Sequence, residues 1–153
     1  MTRAWAGRRA ARSDVLAFSL LGAEVTLVAP PTLLPPSLAG WPVTASHDLD
    51  DVLPKADVVY LLRMQRERQT EALLPSLREY TARWGLTRDR ARLLADDAVV
   101  MHPGPMNRGV EIAAEVADLP RAVISQQVRN GVAVRMAVLF LLIGASPREA
   151  GGG

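Results

Sequence analysis

The sequence predicts an α/β fold, an open parallel sheet flanked by helices. Short apolar runs rich in β-branched residues alternate with longer stretches of helical periodicity, and glycines and prolines separate them. The 153 residues are 49% hydrophobic and 22% charged, which suffices for one domain with a sizeable core. Intrinsic disorder and collagen-like structure are therefore excluded.

The strands are predicted from apolar runs that end at turn residues. Residues 24–29, 58–62 and 99–101 have the composition of buried parallel strands, and a brief strand is predicted near Val43. The helices are predicted from periodicity and from their boundary residues, and they cover residues 10–21 (stopped by Gly22), 46–54, 75–84 (stopped by Gly85), 87–94 (capped by Thr87) and 125–143 (capped by Ser125).

The basic residues are 17 arginines and one lysine, within a net charge of +2. The preference for arginine over lysine indicates a GC-rich coding sequence more than a functional arginine cluster. Tyr80 and Trp84 could belong to a nucleic-acid-binding patch, but they share a helical face with Leu77. We therefore expect them to pack in the core, and we predict no nucleic-acid partner. The chain has no cysteine and only His47 and His102 as imidazole ligands, and we therefore predict no metal site.

We expect neither a membrane partner nor secretion. The longest apolar run, residues 132–143, is too short to span a bilayer and contains Arg135, which favours a buried helix. The arginines before residues 15–21 resemble the start of a signal peptide, but Asp14 and Ser19 interrupt the apolar run and no small-residue cleavage site follows. A cytoplasmic location is predicted.

Ligands of open parallel sheets bind beyond the carboxyl ends of the strands, which directs attention to Arg63, Gln65 and residues 102–108. In an extended segment Arg63 and Gln65 point the same way, and they offer a planar cationic fork together with a donor and an acceptor. Taken alone, an arginine such as Arg63 is more often an ordinary solvated loop residue than a ligand-binding one. The same holds for Arg8, Arg9 and Arg12 at a helix start, where anions are favoured.

The segment His102-Pro103-Gly104-Pro105 is stiff, because each proline restricts its predecessor and removes an NH donor. Such a loop presents carbonyl oxygens and suits an amine or amide ligand, and a cis Gly104-Pro105 bond would make it a tight turn. The alternative is a stiff loop without a ligand. His102 by itself is more often a structural hydrogen-bonding group than a base.

Together these segments resemble one known family. The runs ARSDVLAFSLLGAEVTLVAPPTLLP, ADVVYLLRMQRER, PSLREYTARWGLT, MHPGPMNRGVEI and QVRNGVAVRMAVLFLL resemble, in order and spacing, the C-terminal half of aspartate carbamoyltransferase. The resemblance implies a Rossmann-like aspartate-binding domain over residues 8–145, with residues 1–7 outside the pattern and a tail over 146–153. The family's apolar strand before the first helix has no counterpart in residues 1–7, so the sheet is expected to lack its first strand.

The family transfers a carbamoyl group from carbamoyl phosphate to L-aspartate, the committed step toward pyrimidines, with no cofactor or metal. It forms homotrimers, and a regulatory or companion chain would be a further partner. By matching motif, the resemblance implies that Arg9, Arg63 and Gln65 bind aspartate and that Gly104 and Pro105 contact the carbamoyl group. His102, Pro103 and Arg108 would support that loop.

The resemblance covers only the aspartate half. The family's Ser-Thr-Arg-Thr-Arg phosphate motif, its active-site histidine and the lysine from a neighbouring subunit belong to the other half, so no catalytic residue is predicted here and activity of this chain alone is doubtful. The leading hypothesis is an aspartate carbamoyltransferase fragment. The alternative is a non-catalytic aspartate-binding or assembly subunit that docks on full-length chains. A nucleotide-binding domain is disfavoured because no G-x-G-x-x-G pattern occurs.

Overall fold

The computed structural model describes residues 6–64 and 76–144, with the side chains of the first helix described from residue 11. Ten helices and strands are assigned in this part of the chain: α1 (Ala6–Leu20), β1 (Val25–Val28), β2 (Val43–Ser46), α2 (Leu49–Val52), β3 (Val58–Tyr60), α3 (Leu77–Trp84), α4 (Arg88–Ala91), β4 (Val99–Met101), α5 (Ala114–Ala117) and α6 (Ile124–Gly144). Two 3-10 turns, Pro31–Leu33 and Leu53–Lys55, complete the assignment.

All strand pairing in these residues is parallel, which confirms the predicted fold class. Strand β1 pairs with β2, with Val25 opposite Val43, and β3 pairs with β4, with Val58 opposite Val99. The two pairs form separate two-stranded sheets, with no ladder between them in the described residues. The predicted absence of a first strand concerns residues 1–7, of which residues 1–5 lie outside the described part of the chain, and it stays a prediction.

The hydrophobic core lies beneath the β3–β4 pair. Leu53, Leu86, Val100, Ile112 and Val116 are each at most 1% exposed. Burial of such a side chain stabilises the fold by about 1.5–3 kcal/mol. The core therefore fixes the elements from which the loops after β3 and β4 emerge.

Helix α1 contributes to the packing around both strand pairs. Its Val15 is 2% exposed, and its Phe18 ring meets the Tyr60 ring of β3 edge-to-face at a centroid distance of 5.7 Å. The helix ends at Leu20, and Gly22 two residues later has a φ of +83°, the left-handed conformation expected of a terminating glycine. The predicted stop is confirmed.

Short polar side chains begin three of the helices. Asp48 accepts hydrogen bonds from the backbone NH groups of Asp50 and Asp51, Ser76 from Glu79, and Thr87 from Arg90. The cap predicted at Ser125 is wrong. Helix α6 begins at Ile124, so Ser125 lies inside the first turn.

The prediction that the apolar run 132–143 is a buried helix is also wrong. Helix α6 is apolar around most of its circumference, yet Val132 is 49% exposed, Met136 66% and Phe140 77%. The reason is that the described part of the chain contacts α6 mainly near its start, where Ile124 is buried and Gln127 is hydrogen-bonded. By length and composition α6 is also long and apolar enough to cross a membrane, a criterion that core helices of soluble proteins meet as well.

Gly85 ends α3 with ordinary dihedral angles, φ −71° and ψ 138°, so its role is close approach rather than a left-handed turn. A β-carbon at this position would lie 2.7 Å from the carbonyl oxygens of both Thr81 and Val110. We predict that Gly85→Ala lowers the free energy of unfolding by about 1–3 kcal/mol, because backbone must shift to make room. Urea denaturation measures the change.

The matched control is Gly131→Ala within α6. Its added methyl group would meet only the flexible Arg135 side chain, at 3.5 Å. Because alanine favours a helix over glycine by roughly 1 kcal/mol, this substitution is expected to be neutral or stabilising. Equal destabilisation by both substitutions would contradict the explanation from close approach.

Candidate functional site at the carboxyl ends of β3 and β4

The structure brings two of the predicted segments together. Beyond β3 the Leu61 NH donates to the Met101 carbonyl at 2.9 Å, and the Asn107 side-chain amide donates to the Met64 carbonyl at 2.9 Å. The segment carrying Arg63 is therefore attached to the loop that carries Gly104 and Pro105. Arg63 itself is partly buried.

Two predicted aspartate-binding residues cannot be placed in the same way. Gln65 lies outside the described residues. The backbone of Arg9 belongs to the first turn of α1, and its side chain is outside the description. Their roles remain predictions.

His102 is fully buried and hydrogen-bonded on both sides of its ring. Its Nδ1 accepts from the Gly104 NH at 2.9 Å, and its Nε2 lies 3.3 Å from Glu111 Oε1. Because Nδ1 accepts, the ring proton belongs on Nε2, where it is donated to the carboxylate. His102 therefore shapes the loop and has no ring nitrogen available to a ligand in this arrangement.

The loop turns at Gly104-Pro105, which is a cis peptide bond, and Gly104 has a φ of +67°. The tight turn considered from the sequence is thus confirmed. The Gly104 NH is used internally by His102. Pro103 and Pro105 are exposed and donate no NH, which accords with a loop that offers carbonyl oxygens.

Arg108 stabilises the end of the same loop. Its guanidinium donates to both carboxylate oxygens of Asp118, at 2.9 and 3.0 Å, and to the Ala114 carbonyl at 3.0 Å. The ion pair raises the pKa of Arg108 and lowers that of Asp118. Arg108 therefore joins the end of the loop to α5 and the residue that follows it, and its role toward a ligand stays a prediction.

Glu111 is the charged residue that sequence reasoning did not single out. It is 1% exposed, and its Oε1 accepts from the Asn107 NH as well as facing His102. Burial alone would raise the pKa of this carboxyl, but hydrogen bonds from His102 and from the NH groups of Asn107, Glu111 and Met64 outweigh it and lower the pKa. Glu111 is therefore held as a buried carboxylate.

Gln127 makes a second link that the sequence did not indicate. From the first turn of α6, its side-chain carbonyl accepts from the His102 NH at 2.9 Å and its amide donates to the Tyr60 hydroxyl at 3.2 Å.

For Glu111, by contrast, the sequence did contain one signal. A lone acidic residue between the apolar residues Val110 and Ile112 suggests an internal partner.

Tyr80 of α3 lies close enough to Glu111 to feel its charge. Burial, with a contribution from that charge, raises the pKa of Tyr80 to about 12 from 10.0. Because the pKa is higher in the folded state, its contribution to stability is complete below pH 10 and is lost as the pH rises toward 12.

We predict that unfolding free energy falls by about 2 kcal/mol from this group between about pH 9 and pH 11.5, and that Tyr80→Phe removes that part of the loss. Chemical denaturation at both pH values measures it. The pKa of Tyr60 is also raised, mainly by burial, so Tyr60→Phe serves as a second variant expected to reduce the loss. An unchanged alkaline slope in Tyr80→Phe would refute the prediction.

The site thus consists of an arginine segment and a rigid proline loop that share one buried carboxylate. No group of three or more His, Asp or Glu side chains suited to a metal converges within residues 6–64 and 76–144. The chemistry available is recognition by cation and by backbone carbonyls. The fold and these loops define a parallel α/β ligand-binding domain.

Comparison with known proteins identifies the family. A model of the aspartate/ornithine carbamoyltransferase Asp/Orn-binding domain matches residues 1–142. Aspartate carbamoyltransferase catalytic subunits are similar over most of the chain, with 60% identity over 92% of it in Parafrankia sp. and 59% over 94% of it in Thermobifida fusca. The chain belongs to this carbamoyltransferase family. It spans 46% of the length of each of those two relatives.

Solved structures agree. Aspartate transcarbamoylase from Trypanosoma cruzi, in complex with carbamoyl phosphate and aspartate, matches 76% of this chain and 40% of its own with a TM-score of 0.63 and 35% identity. Ornithine carbamoyltransferase from Burkholderia thailandensis matches 86% of the chain and 42% of its own with a TM-score of 0.65. At 23% identity, the latter likeness concerns the fold alone.

Proposed function

We propose that this chain is the L-aspartate-binding half of an aspartate carbamoyltransferase. The observation that carries the proposal is the identity of about 60% to catalytic subunits of that name over nearly the whole chain. The link between the Arg63 segment and the Gly104-Pro105 loop supports it, because both substrates must meet at one point.

In the proposed reaction the amine nitrogen of L-aspartate attacks the carbonyl carbon of carbamoyl phosphate. A C–N bond forms, the C–O bond to phosphate breaks, the amine loses one proton to the medium, and N-carbamoyl-L-aspartate and phosphate are released. Arg9 and Arg63 bind the two carboxylates, and Gln65 supports the Arg63 end. A dicarboxylate suits two planar guanidinium groups, each able to bind bidentately.

Gly104 and Pro105 would contact the carbamoyl NH2 through backbone carbonyls. A loop without proline NH donors, whose Gly104 NH is already used by His102, favours such an acceptor role. The contribution of this half would be orientation of the amine and of the carbonyl, which needs no covalent intermediate.

The remaining parts of the proposal are the assembly, the location and the pathway. We propose a homotrimer in the cytoplasm, acting in pyrimidine biosynthesis, on the strength of the family resemblance. Light scattering of this chain fused to an amino-terminal half would test the trimer. Cell fractionation would test the cytoplasmic location.

A fusion of this chain to the amino-terminal half of the Thermobifida fusca relative tests the activity. We expect carbamoyl-aspartate from carbamoyl phosphate and L-aspartate, and no product with L-ornithine. The amino-terminal half alone is the control and should be inactive. Carbamoylation of ornithine in place of aspartate would refute the proposed substrate.

A further inference from the structure

We infer that Glu111 is a positioning residue that holds the two substrate-binding segments in one fixed relation. Its buried carboxylate accepts from His102 Nε2 and from the Asn107 NH, and Asn107 in turn donates its side-chain amide to the Met64 carbonyl. One acceptor group therefore joins the proline loop to the segment that carries Arg63.

The hydrogen bonds give each partner of Glu111 a distinct task. The bond from His102 leaves Nδ1 as the acceptor for Gly104, which sets the turn before Pro105. The bond from the Asn107 NH orients the residue whose side chain reaches Met64. A neutral side chain at position 111 cannot accept equally well from both donors, so both segments lose order together.

The burial of this carboxylate explains why solvent cannot replace it. Glu111 and His102 are 1% and 0% exposed, and Ile112, next to Glu111 in the chain, is fully buried. Buried hydrogen bonds to a charged acceptor are stronger than exposed neutral ones, and a lost partner leaves a donor without water to replace it. The inferred coupling of the two segments does not depend on the proposed function. Only its effect on aspartate binding rests on that function.

The test compares Glu111→Gln with Glu115→Gln, the same chemical change at an exposed site four residues away. Amide hydrogen exchange of this chain is measured by NMR at Gly104, Asn107 and Met64. We expect exchange at all three to accelerate by roughly tenfold or more in Glu111→Gln and to stay unchanged in Glu115→Gln. Unchanged exchange in Glu111→Gln would overturn the inference.

General destabilisation is separated from positioning by Leu94→Ala, which removes a core side chain that belongs to neither segment and makes none of these hydrogen bonds. It should lower the melting temperature without selectively accelerating exchange at Gly104, Asn107 and Met64. A milder variant, Asn107→Ala, keeps the bond from its NH to Glu111 and removes only the bond to Met64. Exchange at Gly104 should stay protected, because its acceptor His102 is untouched, and acceleration there would count against the proposed division of tasks.

Calorimetric titration with L-aspartate supplies the functional measurement. If the wild-type chain binds aspartate, Glu111→Gln should weaken binding by about tenfold or more, and Glu115→Gln and Leu94→Ala should not. Unchanged affinity in Glu111→Gln would overturn the positioning role. If the wild-type chain binds no aspartate, the exchange measurements alone decide the coupling, and the fusion to the amino-terminal half decides the proposed function.

Discussion

In this chain fused to the missing half, Arg63→Ala is expected to raise the KM for aspartate at least 10²-fold, while carbamoyl phosphate binding stays nearly intact. A charge-assisted bidentate contact to a carboxylate contributes about 3 kcal/mol, which corresponds to that factor. The position of Arg63, directly beyond β3 and on the segment attached to the proline loop, motivates the prediction. Steady-state kinetics with each substrate varied in turn measures it.

Two further variants make the result specific. Arg63→Lys keeps the charge but loses the planar fork, and should show an intermediate effect. Arg92→Ala removes an exposed arginine whose ion pair is to Asp89, three residues earlier in the same helix α4, and should leave the aspartate dependence unchanged. An unaltered aspartate dependence in Arg63→Ala would defeat the assignment.

The 153-residue chain by itself is expected to show no turnover and to self-associate. Positioning both reactants lowers a barrier by up to about 7–11 kcal/mol, and the phosphate-binding residues that the family resemblance implies are not in this sequence. Self-association is expected because α6 exposes a large apolar surface, with Leu139 at 56% and Phe140 at 77%. Strand edges that are unpaired within residues 6–64 and 76–144 add to it.

The chain is purified from a host that lacks its own transcarbamoylase. Carbamoyl-aspartate assays then test the expected lack of turnover, and light scattering tests the expected self-association. Replacing Met136 and Phe140 by glutamate, Met136→Glu and Phe140→Glu, should reduce association with little effect on the fold, since both side chains are mostly exposed. A monomeric chain with a cooperative transition and measurable turnover would overturn the prediction.

Local patterns were enough to predict most of the elements. The β-branched runs at β1, β3 and β4 are short and apolar, and Asp48 and Thr87 begin helices with their side-chain oxygens. These features depend on neighbours within a few residues, so the sequence specifies them directly. The short helix α5 was not predicted, because four residues leave too little periodicity to recognise.

Long-range contacts could not be read in the same way. The Asn107–Met64 bond joins residues 43 apart, and the Gln127–Tyr60 bond residues 67 apart. Neither residue pair has a local sequence signature. The burial of α6 was predicted wrongly for a related reason: an apolar helix indicates that a partner surface is needed, but not whether the described chain contains it.

By itself the sequence determined the parallel α/β class, the family and the residues proposed to meet the substrates, because these depend on periodicity and on motifs of adjacent residues. Only the tertiary structure decided that His102 serves the loop and that Glu111 lies buried between two segments. The physical reason is that hydrogen-bond partners and burial depend on which distant residues the fold brings within about 3 Å, and no pattern of neighbouring residues records that distance.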